Sequence, residues 1–241
     1  MIPILLGVPG KLKILIDRGL KCIEYFTPGN SQFQVPSNVY ILYVTLQAAG
    51  GAGGHGYGYA YGGGGSGGTI LQEPFVVIPG SIIITTVGAG GEGVTNENVG
   101  GGNGGATGIY GISTLIVYPG TGGGLNVGGQ GGSGGGISIG GVGGSSWGQS
   151  GTVIRNFIGG ASGGGTGWAN GGSSITYAGG TGTYGGPGGG ASYFAPGGNG
   201  SGGYVDLPRA GIGAGGSSLY TMTGYKSGSG GHGYIRFEWF S

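Results

Sequence analysis

The sequence predicts an all-β fold: a small antiparallel sheet or sandwich carrying a packed lattice of glycine-rich segments of the polyproline II (polyglycine II) type. Three observations predict it. Glycine supplies 75 of the 241 residues and falls mostly between short apolar islands. The islands alternate apolar and polar residues, which is the two-residue period of a strand. The non-glycine residues inside the glycine stretches are mainly Ser, Thr, Asn and aromatics, not the Glu, Lys and Gln of a solvated linker.

Taken in order, the chain divides near Pro28 into an N-terminal segment, 1–30, and a glycine-rich β domain, 31–241. KLKILIDRGLKCIEYF, residues 11–26, alternates on both sides of the turn-forming trio Asp17-Arg18-Gly19 and predicts a β-hairpin. FQVPSNVYILYVTLQ follows, with Val39, Ile41, Tyr43 and Thr45 opposing Tyr40, Leu42, Val44 and Leu46 in a strand over 39–47. TILQEPFVVIPGSIIITTVGAGG predicts two strands within 69–87, joined by a Pro79-Gly80 turn. GIYGISTLIVYPG predicts a strand within 109–118, and GYIRFEWFS a closing strand over 233–240. First and last strands are thus far apart in sequence.

An ordered glycine costs roughly 0.5–1 kcal/mol more backbone entropy than alanine, so the glycine stretches need a compensating gain. Two routes exist. In one, residues 50–68 and 119–230 are mobile and the islands fold alone. In the other, glycine segments run as three-per-turn extended helices, packed so closely that only hydrogen fits between them, with N–H and C=O groups paired across neighbours. GGASGGGTGWANGG and GGTGTYGGPGGGASYFAPGGNGSGG suit the second route, because their larger residues can project from the turns of such a lattice.

Composition excludes several classes. Collagen needs glycine at every third position and abundant proline, whereas this chain has 10 prolines and runs such as Gly62 to Gly65. Disorder fits poorly with 6% charge and 10% aromatic residues. A net charge of +1 argues against nucleic acid, which requires several Lys or Arg along a phosphate backbone. The single cysteine, Cys22, excludes an internal disulfide framework. MIPILLGVPG lacks preceding lysines and a small-residue cleavage site, so no signal peptide is expected, and no apolar run is long enough for membrane insertion.

The ordered motifs carry a resemblance. Phe33, Val35, Pro36 and Val39, then Gly50 to Gly54, Pro79-Gly80, Thr86 to Gly91, Ser113 to Leu115 and Gly233 to Trp239 resemble the glycine-rich domain of bacteriophage tail-fibre and tail-tip adhesin proteins. The resemblance covers about residues 31–241. It implies a protein of the virion surface, in a fibre, tip or spike, whose loops bind a bacterial receptor, either a glycan or an outer-membrane protein. It also implies a homotrimer and attachment to another virion protein through residues 1–30.

Aromatic side chains offer large contact area with few rotors and a polar handle. The candidates for receptor contact are Tyr57, Tyr59, Tyr61, Trp147, Trp168, Tyr177, Tyr184, Tyr193 and Phe194, any of which could equally fill gaps in the lattice. In the N-terminal segment, Ile4, Leu5, Leu12, Ile14 and Ile16 exceed what a lone hairpin buries and are the anchoring candidates, unless the segment is simply the edge of the same sheet.

No catalytic residue, cofactor or metal is expected. His55 and His232 are the only histidines, and Glu92 and Glu97 in EGVTNENVGG lack EF-hand spacing and read as a polar turn. GAGGEG is followed by no G-K-[ST], so a phosphate loop is not indicated. A structural virion protein without receptor binding and a secreted glycine-rich structural protein are the competing classes.

Overall fold

The computed structural model describes residues 5–8, 11–14, 19–56, 61–125, 173, 177–182, 186–202, 204–221 and 224–240. In order, the strands among them are β1 (Leu5–Val8), β2 (Lys11–Ile14), β3 (Leu20–Tyr25), β4 (Gly29–Gln34), β5 (Ile41–Gln47) and β6 (His55–Gly56). Then come β7 (Thr69–Val76), β8 (Ile82–Val87), β9 (Thr107–Tyr110), β10 (Thr114–Val117), β11 (Leu219–Tyr220) and β12 (Tyr234–Phe240). Two four-stranded antiparallel sheets, ordered β3-β12-β5-β7 and β10-β9-β8-β4, form a sandwich.

Alternation decides which face each residue takes. On β5, Leu42, Val44 and Leu46 are buried while Ile41 and Tyr43 are exposed; on β8, Ile83 and Val87 are buried while Ile82 and Ile84 are exposed. The inward residues of both sheets make one apolar core, in which the Phe33 ring lies 4.9 Å from Phe237 and 5.5 Å from Trp239. Each fully buried Leu, Ile or Phe there contributes about 1.5–3 kcal/mol.

Proline and glycine steer the chain between sheets. β7 and β8 belong to different sheets, and the connection turns at Pro79-Gly80, where Ser81 N–H donates to the Ile78 carbonyl at 3.0 Å and Gly80 has φ +76°. This is a type II turn, which wants a positive φ at its second central residue.

Two expectations need correction. The arms of the 11–26 hairpin sit in different sheets: β2 pairs with β1, and β3 pairs with β12, Tyr25 facing Ile235 and Leu20 facing Phe240. The strand expected within 109–118 is a hairpin, β9 and β10, because the chain bends at Gly111 to Ser113, where Gly111 N–H donates to the Ser113 carbonyl at 2.9 Å.

The glycine stretches leave the sandwich at one end. Gln47 ends β5, Thr69 opens β7 and Tyr234 opens β12, and the three are register neighbours. From there segment 48–54 runs through the centre of a backbone lattice. Its N–H groups cycle among three neighbours: Ala48, Gly51 and Gly54 donate to Gly68, Gly65 and Gly62; Ala49 and Ala52 to Gly105 and Gly102; Gly50 and Gly53 to Gly231 and Gly228. Its carbonyls accept from three others, through Gly120 and Gly123, Gly216 and Leu219, and Gly91. A three-residue cycle of partners is the signature of a three-per-turn helix, so this segment is a polyglycine II strand with six neighbours.

Close approach explains the glycine. A Cβ on Gly50 would overlap the Ala214 carbonyl, and one on Gly51 the Thr121 carbonyl. Alanine appears where a methyl fits, at the buried Ala48, Ala49 and Ala52.

Side chains satisfy the backbone where pleated strand becomes lattice. Buried Gln47 donates through Nε2 to the Ala48 carbonyl at 3.0 Å and the Gly67 carbonyl at 2.9 Å, while its Oε1 accepts from Thr69 Oγ1 at 2.6 Å. In the other sheet, Thr107 Oγ1 accepts from Gly88 N–H at 3.0 Å.

Candidate functional site at the lattice tips

At the lattice end opposite the sandwich, separate turns are joined through His55. Its N–H donates to the Val99 carbonyl at 3.0 Å, and Val99 N–H donates back to the His55 carbonyl at 3.2 Å. The ring Nε2 lies 3.0 Å from the Thr221 carbonyl, which can only accept, so this nitrogen carries the proton. β6 pairs in parallel with β11, Leu219 facing His55. The turns near 55, 99 and 221 thus form one knot around the buried His55 and Thr221, with Asn98 in a left-handed conformation at φ 59°.

Exposed apolar and aromatic side chains surround that knot. Tyr204 is 69% exposed and lies beside Tyr225, ring centroids 5.8 Å apart. Val205, Val99 and Leu125 are also exposed. Ser201 pairs with Leu219, and Lys226 bonds to Leu207, which keeps the Tyr204 turn at this end.

An ion cluster braces the flank. Glu92 receives Arg209 on Oε1, and on Oε2 it accepts from Lys226 Nζ at 3.0 Å and Ser229 Oγ at 3.4 Å. Hydrogen bonds from Lys226 and Arg209 hold its carboxyl down to about 2. Nearby, Gly90 N–H donates to His232 Nδ1 at 2.9 Å, and burial followed by the Arg209 charge lowers the His232 pKa. Both Glu92 oxygens and His232 Nδ1 are thus engaged in holding segments together. Among the described residues no group of three or more His, Cys, Asp or Glu is placed to hold a metal ion.

The expected contact residues divide between the two ends of the lattice. Tyr61 lies at the tips but is buried, its ring against Gly54. That burial corrects its expected surface role, because glycine at position 54 leaves room for the ring to pack inward. Tyr193 and Phe194 lie at the sandwich end: their rings are 5.2 Å apart, and Phe194 stands 5.2 Å from Tyr234. Tyr177 is exposed and lies just before Ala178, whose carbonyl accepts from Gly197 N–H. Tyr57, Tyr59, Trp147, Trp168 and Tyr184 lie outside the described residues, as do the side chains of the anchoring candidates Ile4, Leu5, Leu12, Ile14 and Ile16.

Tyr204 and Tyr225 were not among the expected residues, although the signal was present. Each directly follows glycine, in GGYVD and TGYKS, as Tyr57 and Tyr59 of GHGYGYAY do.

A family model for a glycine-rich domain matches residues 26–240. The chain belongs to that glycine-rich domain family. The match spans β4 to β12, all the strands of the sandwich except β3, together with every lattice segment described above. No curated protein matches the chain. As a glycine-rich domain it combines an all-β sandwich with a backbone-bonded lattice, and Leu20 of β3 and Phe240 of β12 pair at the sandwich end away from its tips.

Proposed function

We propose that this glycine-rich domain is a binding module of a bacteriophage virion surface, in a tail fibre, tip or spike, which recognises a receptor on the host cell through the lattice tips. The observation that carries the reading is polarity. Leu20 and Phe240 face each other at the sandwich end remote from the lattice, while the turns at 55, 99, 204 and 221 gather at the other. Attachment through residues 1–30 would leave the tips pointing away from the particle. The motif order from Phe33 to Trp239 supports the virion setting.

A lattice bonded through its own backbone also presents its tips at little entropic cost on binding, which favours recognition over catalysis. Contacts are proposed at Tyr204 and Tyr225, with Tyr57, Tyr59, Trp147, Trp168 and Tyr184 as further candidates. The receptor is a glycan or an outer-membrane protein.

Fluorescently labelled protein, titrated against a panel of intact bacteria, tests the reading. Saturable binding to some strains is expected, weakened at least tenfold by Tyr204→Ser and unchanged by Gln32→Ala on the sandwich. Equal effects of the two substitutions, or no saturable binding to any strain, would contradict it.

A further inference from the structure

Two open sheet edges lie a short connection apart in the chain. β3 is the outer strand of its sheet, bonded on one side to β12, and β1 and β2 form a two-stranded sheet of their own. A lone two-stranded ribbon is marginal in water, so β1-β2 gains from further pairing. Among the edges of the sandwich, β3 is the least protected. β7 carries Pro74, a register irregularity opposite Val44 and Leu46, and a positive φ at Gln72. β4 opens at Gly29 with φ +127° and is largely polar, and β10 has only 4 residues. β3 runs 6 residues in unbroken register with β12, without proline or bulge.

The sequence of β2 fits β3 in one register. Opposing residue 11 to residue 24 sets Lys11 across from Glu24, Leu12 across from Ile23 and Lys13 across from Cys22. Ile23 already partners Phe237 of the core, and Glu24 already partners Arg236, so the added strand would extend an apolar row and a charged row.

Within one chain that register demands a two-residue loop, Asp17-Arg18. Such loops want positive φ at both central residues, or glycine at the first, and Asp-Arg offers no glycine. The easier turn, Asp17-Arg18-Gly19, places glycine where a three-residue loop needs it but shifts the pairing by one. Leu12 then meets Glu24 and Lys13 meets Ile23, which inverts the faces. Turn and register conflict inside one chain, and β2 accordingly pairs with β1 instead. Between chains no turn is needed.

We propose that β2 of a second copy adds to the open edge of β3, so that the N-terminal ribbon is exchanged between copies and closes a homo-oligomer. The pairing is independent of what the tips bind.

Lys13→Cys provides the test, because the register sets position 13 opposite the native Cys22 at antiparallel Cα spacing, within disulfide reach. Sedimentation of the unaltered full chain across a hundredfold range of concentration accompanies it. The chain is expected to sediment as an oligomer at the upper end. Oxidised K13C, prepared from mixed heavy- and light-isotope chains, is expected to give a disulfide between position 13 of one chain and Cys22 of another. Leu12→Cys, one position off register, should cross-link at least tenfold less. Lys11→Glu should weaken assembly about tenfold, and K11E combined with E24K should restore it. A monomer at every concentration, or a cross-link joining only isotopes of the same chain, would overturn the proposal.

Discussion

Gly50 and Gly124 occupy one lattice but differ in what a methyl group would meet. At Gly50 the methyl runs into the backbone of Ala214, which has nowhere to move; at Gly124 nothing lies within 4 Å. Gly50→Ala is therefore expected to cost about 3 kcal/mol, as severe overpacking does. Gly124→Ala should be neutral or stabilise by about 0.5 kcal/mol through the unfolded chain. Urea denaturation of the two variants measures both. Glu92 supplies a second prediction at this scale. Its folded pKa of about 2 lies below the usual carboxylate value of 4.5, so its contribution is present in full above pH 4.5 and fades as pH falls toward 2. The stability difference between the native protein and Glu92→Gln, followed by urea midpoint from pH 6 to pH 2, should shrink in that window. A difference independent of pH would contradict the role given to the Arg209 and Lys226 contacts.

Strands such as β5 and β8 are legible in the sequence because alternation is a local property: Leu42, Val44 and Leu46 announce the buried face before any partner is known. Partners are not local. Tyr25 and Ile235 face each other from opposite ends of the chain, and nothing in either segment names the other. The β9-β10 hairpin is hard to read because its turn, Gly111 to Ser113, contains the apolar Ile112 and lacks an Asn-Gly or Asp-Gly pair to mark it. The glycine segments show the limit most clearly. Their ordering could be inferred from their neighbours' chemistry, yet glycine has no side chain to encode which run lies beside which. Gln47 is a signal that could have been read, being a polar residue at the end of an apolar strand and next to Ala-Ala-Gly-Gly. Its amide serves the seam between pleated strand and lattice. Gln47→Leu removes the donors to the Ala48 and Gly67 carbonyls and leaves Thr69 Oγ1 without its acceptor. It should cost about 2–3 kcal/mol by chemical denaturation, the penalty for stranding buried polar groups. A loss below about 0.5 kcal/mol would show that the seam does not need it.

The whole molecule has two kinds of interior. The sandwich is held by side chains, with Phe33, Val44 and Phe237 at its centre. The lattice is held by main-chain hydrogen bonds and by close contact that only glycine permits, and extends about 20 Å if seven residues rise about 3.1 Å each. In such an interior, stability rests on cooperation among many weak links, and the tips are fixed because the described runs beneath them are bonded to their neighbours. The tip aromatics are only partly legible in the sequence, since a tyrosine beside glycine can project outward, as Tyr204 does, or pack inward, as Tyr61 does. Amide hydrogen exchange on the purified protein tests the lattice most directly, with segments 48–54 and 62–68 compared against β5 and β12. Protection in the glycine segments within about tenfold of that in the strands is the expected result. Exchange there at random-coil rates would contradict the lattice and leave a small sandwich with unstructured glycine loops.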